Sequence, residues 1–347
     1  MSLTLNLIGW MAAILGFGLL VLAHEFGHFW ALRKRGQNVY AFSIGFGTPI
    51  WKFSRGGVQY RIGWIPLGGY VMLEDPQVIE KREAEGKDLF DGGSPITQLI
   101  VAFMGPVANL LLAWLLFTVV ICGWGEPNPV PIVESVVNGS PSDSAGLQPL
   151  DRLVKLNGLE ISSWNDLIEK IQINKTGNGI LEIDRNGKNI SIAVSPKLEG
   201  DRFVLGIRPQ IRSKSPLPVH AAIIAGINRT MEETLAVSLG IIRFFSFSTS
   251  GQISGPIAIL DQVSRSAMGG WVAFLSLLAI LSVNLAVFNL LPIPPLDGVR
   301  ILFAFWNLIF GKPIREKLVV SFYQWGALGL ALVFVLVTLK DLTAFFL

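Results

Sequence analysis

A chain of 347 residues that is 51% hydrophobic and only 15% charged is not an ordinary soluble domain, in which roughly 25% of residues are charged. It reads as a membrane protein with a smaller aqueous part, and no nucleic-acid partner is expected. The formal net charge of +3 carries little as a total, and the single cysteine, Cys122, allows no intrachain disulfide and fills space in an apolar run.

Four uncharged stretches reach the roughly 20 apolar residues that a bilayer span needs. They are Met1–Ala23 (apolar onward to Leu32), Ile96–Cys122, Ser266–Leu296 and Leu318–Leu339. The first lacks a basic leading region, and its charges follow the apolar run, so it reads as a retained anchor. Its inner end carries His24-Glu25-Phe26-Gly27-His28. On a helix, positions i and i+4 share a face, so both imidazoles can converge on one metal ion with Glu25 beside them as a base. Ionisable groups inside an apolar span are costly and functional by default.

After the first span, Val39–Gly47 and Val58–Leu73 are β-prone runs separated by the turn signal "SRGG". They are too apolar for an ordinary aqueous hairpin. Irregular backbone survives at membrane depth only where protein or a watery cavity satisfies it, so the hairpin is expected to dip toward the bilayer beside the first span. Residues Glu74–Gly93 read as a charged surface loop. The whole segment 33–95 is placed on the cytoplasmic side, and the second span covers 96–123.

Residues 124–214 change composition, with 11 acidic and 11 basic residues. Within them "GSPSDSAGLQPLDRLVKLNGLEI" (Gly139–Ile161) precedes a helical "WNDLIEKI". This order resembles a PDZ domain of the bacterial protease-associated type, except that Leu150 stands before Asp151 where that pattern usually has glycine. One such module is expected, with no second copy. Residues 215–265 carry His220, Arg229, Glu232, Glu233 and Arg243 among apolar residues at helical spacing and read as an amphipathic helix lying on the membrane.

The third apolar run, within segment 266–311, passes "NLLPIPPLDG" before its first charge, Asp297. The prolines break the helix there and free the carboxylate to turn. A zinc site with two histidines needs a further protein ligand. Residues 29–73 contain no His, Asp, Glu or Cys, and His220 falls on the far side, so Asp297 is the better candidate. Segment 312–347 supplies a cytoplasmic turn and the fourth span.

Basic residues orient the chain. Arg33, Lys34, Arg35, Lys52, Arg55 and Arg61 lie between the first two spans, and Arg300, Lys312, Arg315 and Lys317 between the last two. Both connections read as cytoplasmic. The termini and the PDZ-like module are then extracytoplasmic, and the metal site lies near the cytoplasmic face.

H-E-F-G-H, "FSIGFG", "PLGGYV", "MGPVANLLLA", a PDZ-like module and "NLLPIPPLDG" occur in the order seen in site-2 proteases. The chain resembles that family over nearly its whole length, most closely the bacterial members that regulate envelope-stress sigma factors. The resemblance implies four transmembrane helices with a membrane-dipping β-hairpin and one inserted PDZ domain. It also implies an intramembrane zinc metalloprotease of the bacterial inner membrane, with His24, His28 and Asp297 on Zn²⁺ and Glu25 as base. Asn289, Asn109 and Pro294 would lie on the substrate side. Substrates would be single-span proteins such as anti-sigma factors or remnant signal peptides, trimmed beforehand by a site-1-type protease. The competing expectation is a non-catalytic, metal-binding PDZ scaffold, which would call for four protein ligands and no base. A transporter would need further intramembrane carboxylates.

Overall fold

The computed structural model describes residues 3–75, 78, 93–173, 178–199, 202–213, 215–245, 255–312 and 314–346. Most of the surface loop expected over Glu74–Gly93 lies outside these residues. The chain divides into two compact units, one mainly helical and one, with Ile121–Pro218 as its body, β-rich.

In the helical unit, α1 (Leu3–Lys34) carries Arg33 and Lys34 in its last turn, where cations complement the helix dipole. It closes on Gly36, left-handed at φ 74°, with the Gln37 N–H donating to the Leu32 carbonyl at 2.9 Å. The chain then forms β1 (Ala41–Arg55) and β2 (Val58–Met72), joined through Gly56 and Gly57, both at positive φ as a tight hairpin turn requires. The pairing is more folded than a plain hairpin. Trp51–Arg55 runs against Val58–Ile62, while Ala41–Ile44 is aligned both with Gln59–Ile62 and with Gly69–Met72. Leu32 of α1 and Val39, Phe42 and Val58 form one buried cluster. Phe29, Phe42 and Tyr60 add ring contacts at 5.2–6.2 Å between centroids. The sheet is therefore seated on the C-terminal end of α1.

The next helix, α2 (Pro95–Trp124), crosses α1 so closely that a side chain at Gly27 would strike the Met104 carbonyl. That contact accounts for the glycine within H-E-F-G-H.

In the β-rich unit, β3 (Pro127–Val136), β4 (Arg152–Leu156), β6 (Gly179–Arg185), β7 (Lys188–Val194) and β10 (Ile207–Ser213) form a sheet in the order β10-β3-β4-β6-β7. The short β5 (Leu159–Glu160) pairs with β4, and β8 (Lys197–Glu199) pairs with β9 (Arg202–Val204). The core joins Val133, Leu153, Leu181 and Ile183 of the sheet to Leu167 and Ile171 of α4 (Trp164–Ile173). The Lys170 ammonium beside Asp166 holds that carboxyl down to about 2. Ser140 caps α3 (Pro141–Ser144) by accepting the Asp143 N–H, with Pro141 in the first turn.

Asp151 is buried and held in a fork by Arg185, with both N–H···O distances at 2.7 Å, and it accepts the Gln148 N–H at 2.8 Å. Leu150 takes the left-handed backbone that favours glycine, at φ 73°, and is 74% exposed. The buried Asp151 lock and the Leu150 N–H to the Val133 carbonyl at 2.8 Å set the shape of this turn. A left-handed non-glycine residue costs roughly 1–2 kcal/mol, partly offset by the freedom glycine loses on folding. Leu150→Gly is therefore expected to stabilise this unit by about 0.5–1 kcal/mol, read as slower hydrogen exchange at β4 and β6 in the whole protein. Unchanged or faster exchange would refute the strain argument.

The expected surface segment 215–265 contains two helices. α5 (Val219–Phe245) packs along α2, where Trp114 Nε1 donates to the Ile223 carbonyl at 3.2 Å. α6 (Pro256–Met268) is packed into the helical unit, with Val263 and Ser264 buried and Ser264 filling the space left by Gly9 of α1. Its N-terminus is held by Asp341, which accepts from the backbone of Gly255 and Ala258 at 3.2 and 3.0 Å. The third apolar run is not one helix from Ser266. It divides at Gly269-Gly270, after which α7 covers Trp271–Asn289, and it stops again at the proline-rich turn before α8 (Asp297–Phe310). The last helix, α9, covers Glu316–Phe346.

Among the described residues four helical stretches are long and apolar enough to cross a membrane: Leu7–Lys34, Pro95–Trp124, Trp271–Asn289 and Lys317–Thr343. The shortest has 19 residues, about 28 Å at 1.5 Å per residue, close to the ~30 Å hydrocarbon core. The protein is a multi-pass membrane protein with a β-rich, PDZ-like insertion.

Candidate metal centre

His24 and His28 stand one turn apart on α1 and present their Nε2 atoms to each other at 3.1 Å, with rings edge to face. Asp297 opens α8 and places Oδ2 3.1 Å from both nitrogens. All three side chains are buried. Asp297 reaches this point because the chain leaves helix after Asn289 and re-enters it at residue 297. Gly298 permits the sharp re-entry, since any side chain there would strike the Leu290 and Leu291 carbonyls.

The donor set fits a divalent cation. Three atoms with lone pairs converge in a buried space, and Asp297 Oδ2 has no hydrogen-bond partner there. Zinc bonds of about 2.0–2.1 Å in a tetrahedron place ligand atoms roughly 3.4 Å apart, close to the separations observed. His24, His28 and Asp297 would hold the ion.

The surroundings come from other elements. His28 Nδ1 donates to the Val101 carbonyl of α2 at 2.8 Å, which leaves its Nε2 lone pair for a metal. Gly105, one turn further along α2, lies against both imidazoles, and a Cβ there would overlap His28 Nε2 and His24 Cε1. Glu25 is half-buried, with its side chain against Gly69 of β2. Arg300, one turn into α8, approaches Asp297 Oδ1 at 3.9 Å.

The structure brings His24, Glu25, His28, Asp297 and Asn109 into one neighbourhood. Asn109, expected on the substrate side, is fully buried, and its side chain reaches His24 Nδ1 at 3.4 Å. Pro294 is likewise buried, against Gly326 of α9. Packing between helices covers both side chains. Asn289 remains half-exposed, with its amide donating to the Leu285 carbonyl at 2.9 Å. His220 is exposed at the start of α5 and outside the cluster. The sequence gives no role to Val101, and it places Gly105 and Gly69 in recognisable motifs without showing what they touch. A carbonyl or a missing Cβ has no signature of its own, although the Gly105–Asn109 spacing of one helical turn is a usable hint.

Residues 12–335 match the sequence profile of peptidase family M50. Three bacterial proteins whose names class them as zinc metalloproteases are similar along their length. The one from Rickettsia conorii is 31% identical over 97% of this chain and 100% of its own. The one from Clostridium acetobutylicum is 30% identical over 95% and 96%. The one from Campylobacter jejuni is 30% identical over 89% and 86%. A crystal structure of the PDZ domain of an SdrC-like protein from Listeria innocua aligns with 26% of this chain and 99% of that one, at 17% identity and a TM-score of 0.22.

Proposed function

This chain belongs to peptidase family M50, the site-2 protease family of zinc metalloproteases, and on that premise we propose that it hydrolyses peptide bonds within transmembrane segments of single-span membrane proteins. The observation that carries the reading is the position of the donor set. His24 and His28 lie within the span-length helix Leu7–Lys34, beside a second span-length helix, α2, and Glu25 lies next to them. A scaffold with a purely structural zinc would have a closed set of four protein ligands. Among the described residues the cluster holds three, which favours catalysis.

Zinc, when bound, acts as a Lewis acid that makes water acidic enough to be deprotonated near neutral pH. His24, His28 and Asp297 orient that chemistry. Glu25 takes the proton from the attacking water and returns it to the departing amine, as a general base and then a general acid. The buried surroundings keep bulk water out and strengthen each electrostatic contact.

A helical substrate shields its own carbonyls and must be drawn out into extended form. A sheet edge can hold it by strand addition. Val58–Ile62 is flanked by Trp51–Arg55 and by Ala41–Ile44, whereas Gly69–Met72 has Ala41–Ile44 on one side and passes Glu25 at Gly69. Within Val58–Leu73, Gly69–Met72 is thus the run best suited to receive a substrate. Asn289 would contact the substrate backbone. The basic connections favour an active site near the cytoplasmic face and an extracytoplasmic PDZ-like unit that restricts entry to substrates already trimmed by another protease. Anti-sigma factors and remnant signal peptides are the substrate classes that the family suggests.

The test is cleavage of purified single-span proteins by the protein reconstituted in liposomes, with the cut mapped by mass spectrometry. Cuts inside the apolar segment, lost on chelation and restored by zinc, are expected. Cuts confined to water-exposed flanks, or none from zinc-loaded protein across such substrates, would overturn the proposal.

A further inference from the structure

Asn109 is the polar side chain that the catalytic scheme leaves without a task. It is 0% exposed in the middle of α2, where a carboxamide is costly unless both its ends are satisfied. Its amide meets His24 Nδ1 at 3.4 Å, and its Oδ1, as placed, has no hydrogen-bond partner. Its position is well fixed, because Ser282 of α7 donates to the Asn109 backbone carbonyl at 2.8 Å.

The chemistry of His24 decides which end of the amide faces it. If the NH₂ group donated to Nδ1, a neutral imidazole would carry its proton on Nε2, the atom turned toward Asp297 and His28. That nitrogen would then have no lone pair for a metal. With the amide oxygen toward the ring, Nδ1–H donates and Nε2 is free, and Oδ1 is no longer an orphan. Amide oxygen and nitrogen differ little in shape and are assigned from hydrogen bonding. A ligating histidine almost always donates its other N–H to an oxygen. His28 already does so, to the Val101 carbonyl at 2.8 Å.

We propose that Asn109 is a positioning residue whose side-chain oxygen accepts the His24 Nδ1 proton, fixing the ring in the tautomer and orientation that bind zinc. The inference rests on the zinc-protease reading and adds to it how α2 prepares one ligand. α2 then supplies an acceptor to each histidine, a backbone carbonyl for His28 and a carboxamide for His24, with Gly105 between them leaving room for the rings.

The test measures zinc affinity of the purified full chain by competition with a chromophoric chelator, a readout independent of proteolysis. Asn109→Leu keeps the volume and removes the acceptor, and should weaken zinc binding roughly 10- to 100-fold, as loss of such outer partners does. Asn109→Asp offers oxygen in either orientation and should equal or exceed the wild type. Ser282→Ala cuts the backbone tie to α7 but leaves the carboxamide, and should lie near the wild type. Asn109→Ala replaces the leucine variant if the latter does not fold. Wild-type affinity in the acceptor-free variant would overturn the proposal and leave the protease reading intact. An aspartate variant as weak as leucine would overturn it too, by showing a need for shape or an N–H donor. A wild-type protein that binds no zinc would sink both readings.

Discussion

Glu25→Gln leaves zinc bound and removes peptide hydrolysis. Glutamine keeps the length of the side chain, the helical propensity and the contact with Gly69 of β2, so α1 and the sheet stay in register. The convergent donor atoms belong to His24, His28 and Asp297, and none is altered. What disappears is proton acceptance, because a neutral amide cannot take a proton from water near neutral pH. Loss of a positioned general base lowers rates about 10²–10⁴-fold, or roughly 3–5 kcal/mol at 1.36 kcal/mol per decade. Metal analysis and a cleavage assay on one preparation check both halves. Near-normal turnover would move the base elsewhere, and loss of zinc would make Glu25 a ligand.

Asp297→Asn should lower zinc content and activity together, which distinguishes a ligand from a base. The substitution preserves shape but exchanges an anionic donor for a poor neutral one, between two imidazoles 3.1 Å away. The affinity loss should exceed the roughly 10- to 100-fold expected when only an outer partner is removed. Asp297 also opens α8, where a carboxylate at a helix N-terminus contributes about 0.3–1 kcal/mol. That smaller effect is checked separately by comparing melting of the zinc-free proteins. Full metal occupancy with unchanged turnover would place the third ligand on another residue.

Much of this fold is legible from one dimension because the lipid solvent simplifies the code. A helix that must satisfy its own backbone in hydrocarbon appears as a long uncharged run, and the four runs read from composition correspond to the four span-length helices. The β-rich insertion shows itself by the opposite change, to balanced charge and short β-prone runs. Segment 215–265 was less readable. Its polar residues suggest a surface position, yet α6 is packed against α1 and capped by Asp341 of α9, a partner 83 residues from Ala258. A local hydrophobic pattern records that a face is apolar but not which distant element covers it.

Sequence by itself determined the metal-binding chemistry of α1, since the spacing of His24 and His28 on a helix puts both rings on one face whatever surrounds them. It also marked Asp297, an isolated carboxylate where a proline-rich turn ends an apolar run. Only the tertiary structure decided the rest. It put Asn109 beside His24 and packed Pro294 against Gly326. It showed that Leu150 takes up a glycine's backbone because the Asp151–Arg185 fork holds the turn. It aligned Ala41–Ile44 with two separate parts of β2. The physical reason is the same in each case: helix periodicity and apolar length follow from covalent geometry and solvent, which neighbouring residues specify. Burial and hydrogen-bond partnership belong to pairs of surfaces, and these come into contact only when the helices and the sheet pack.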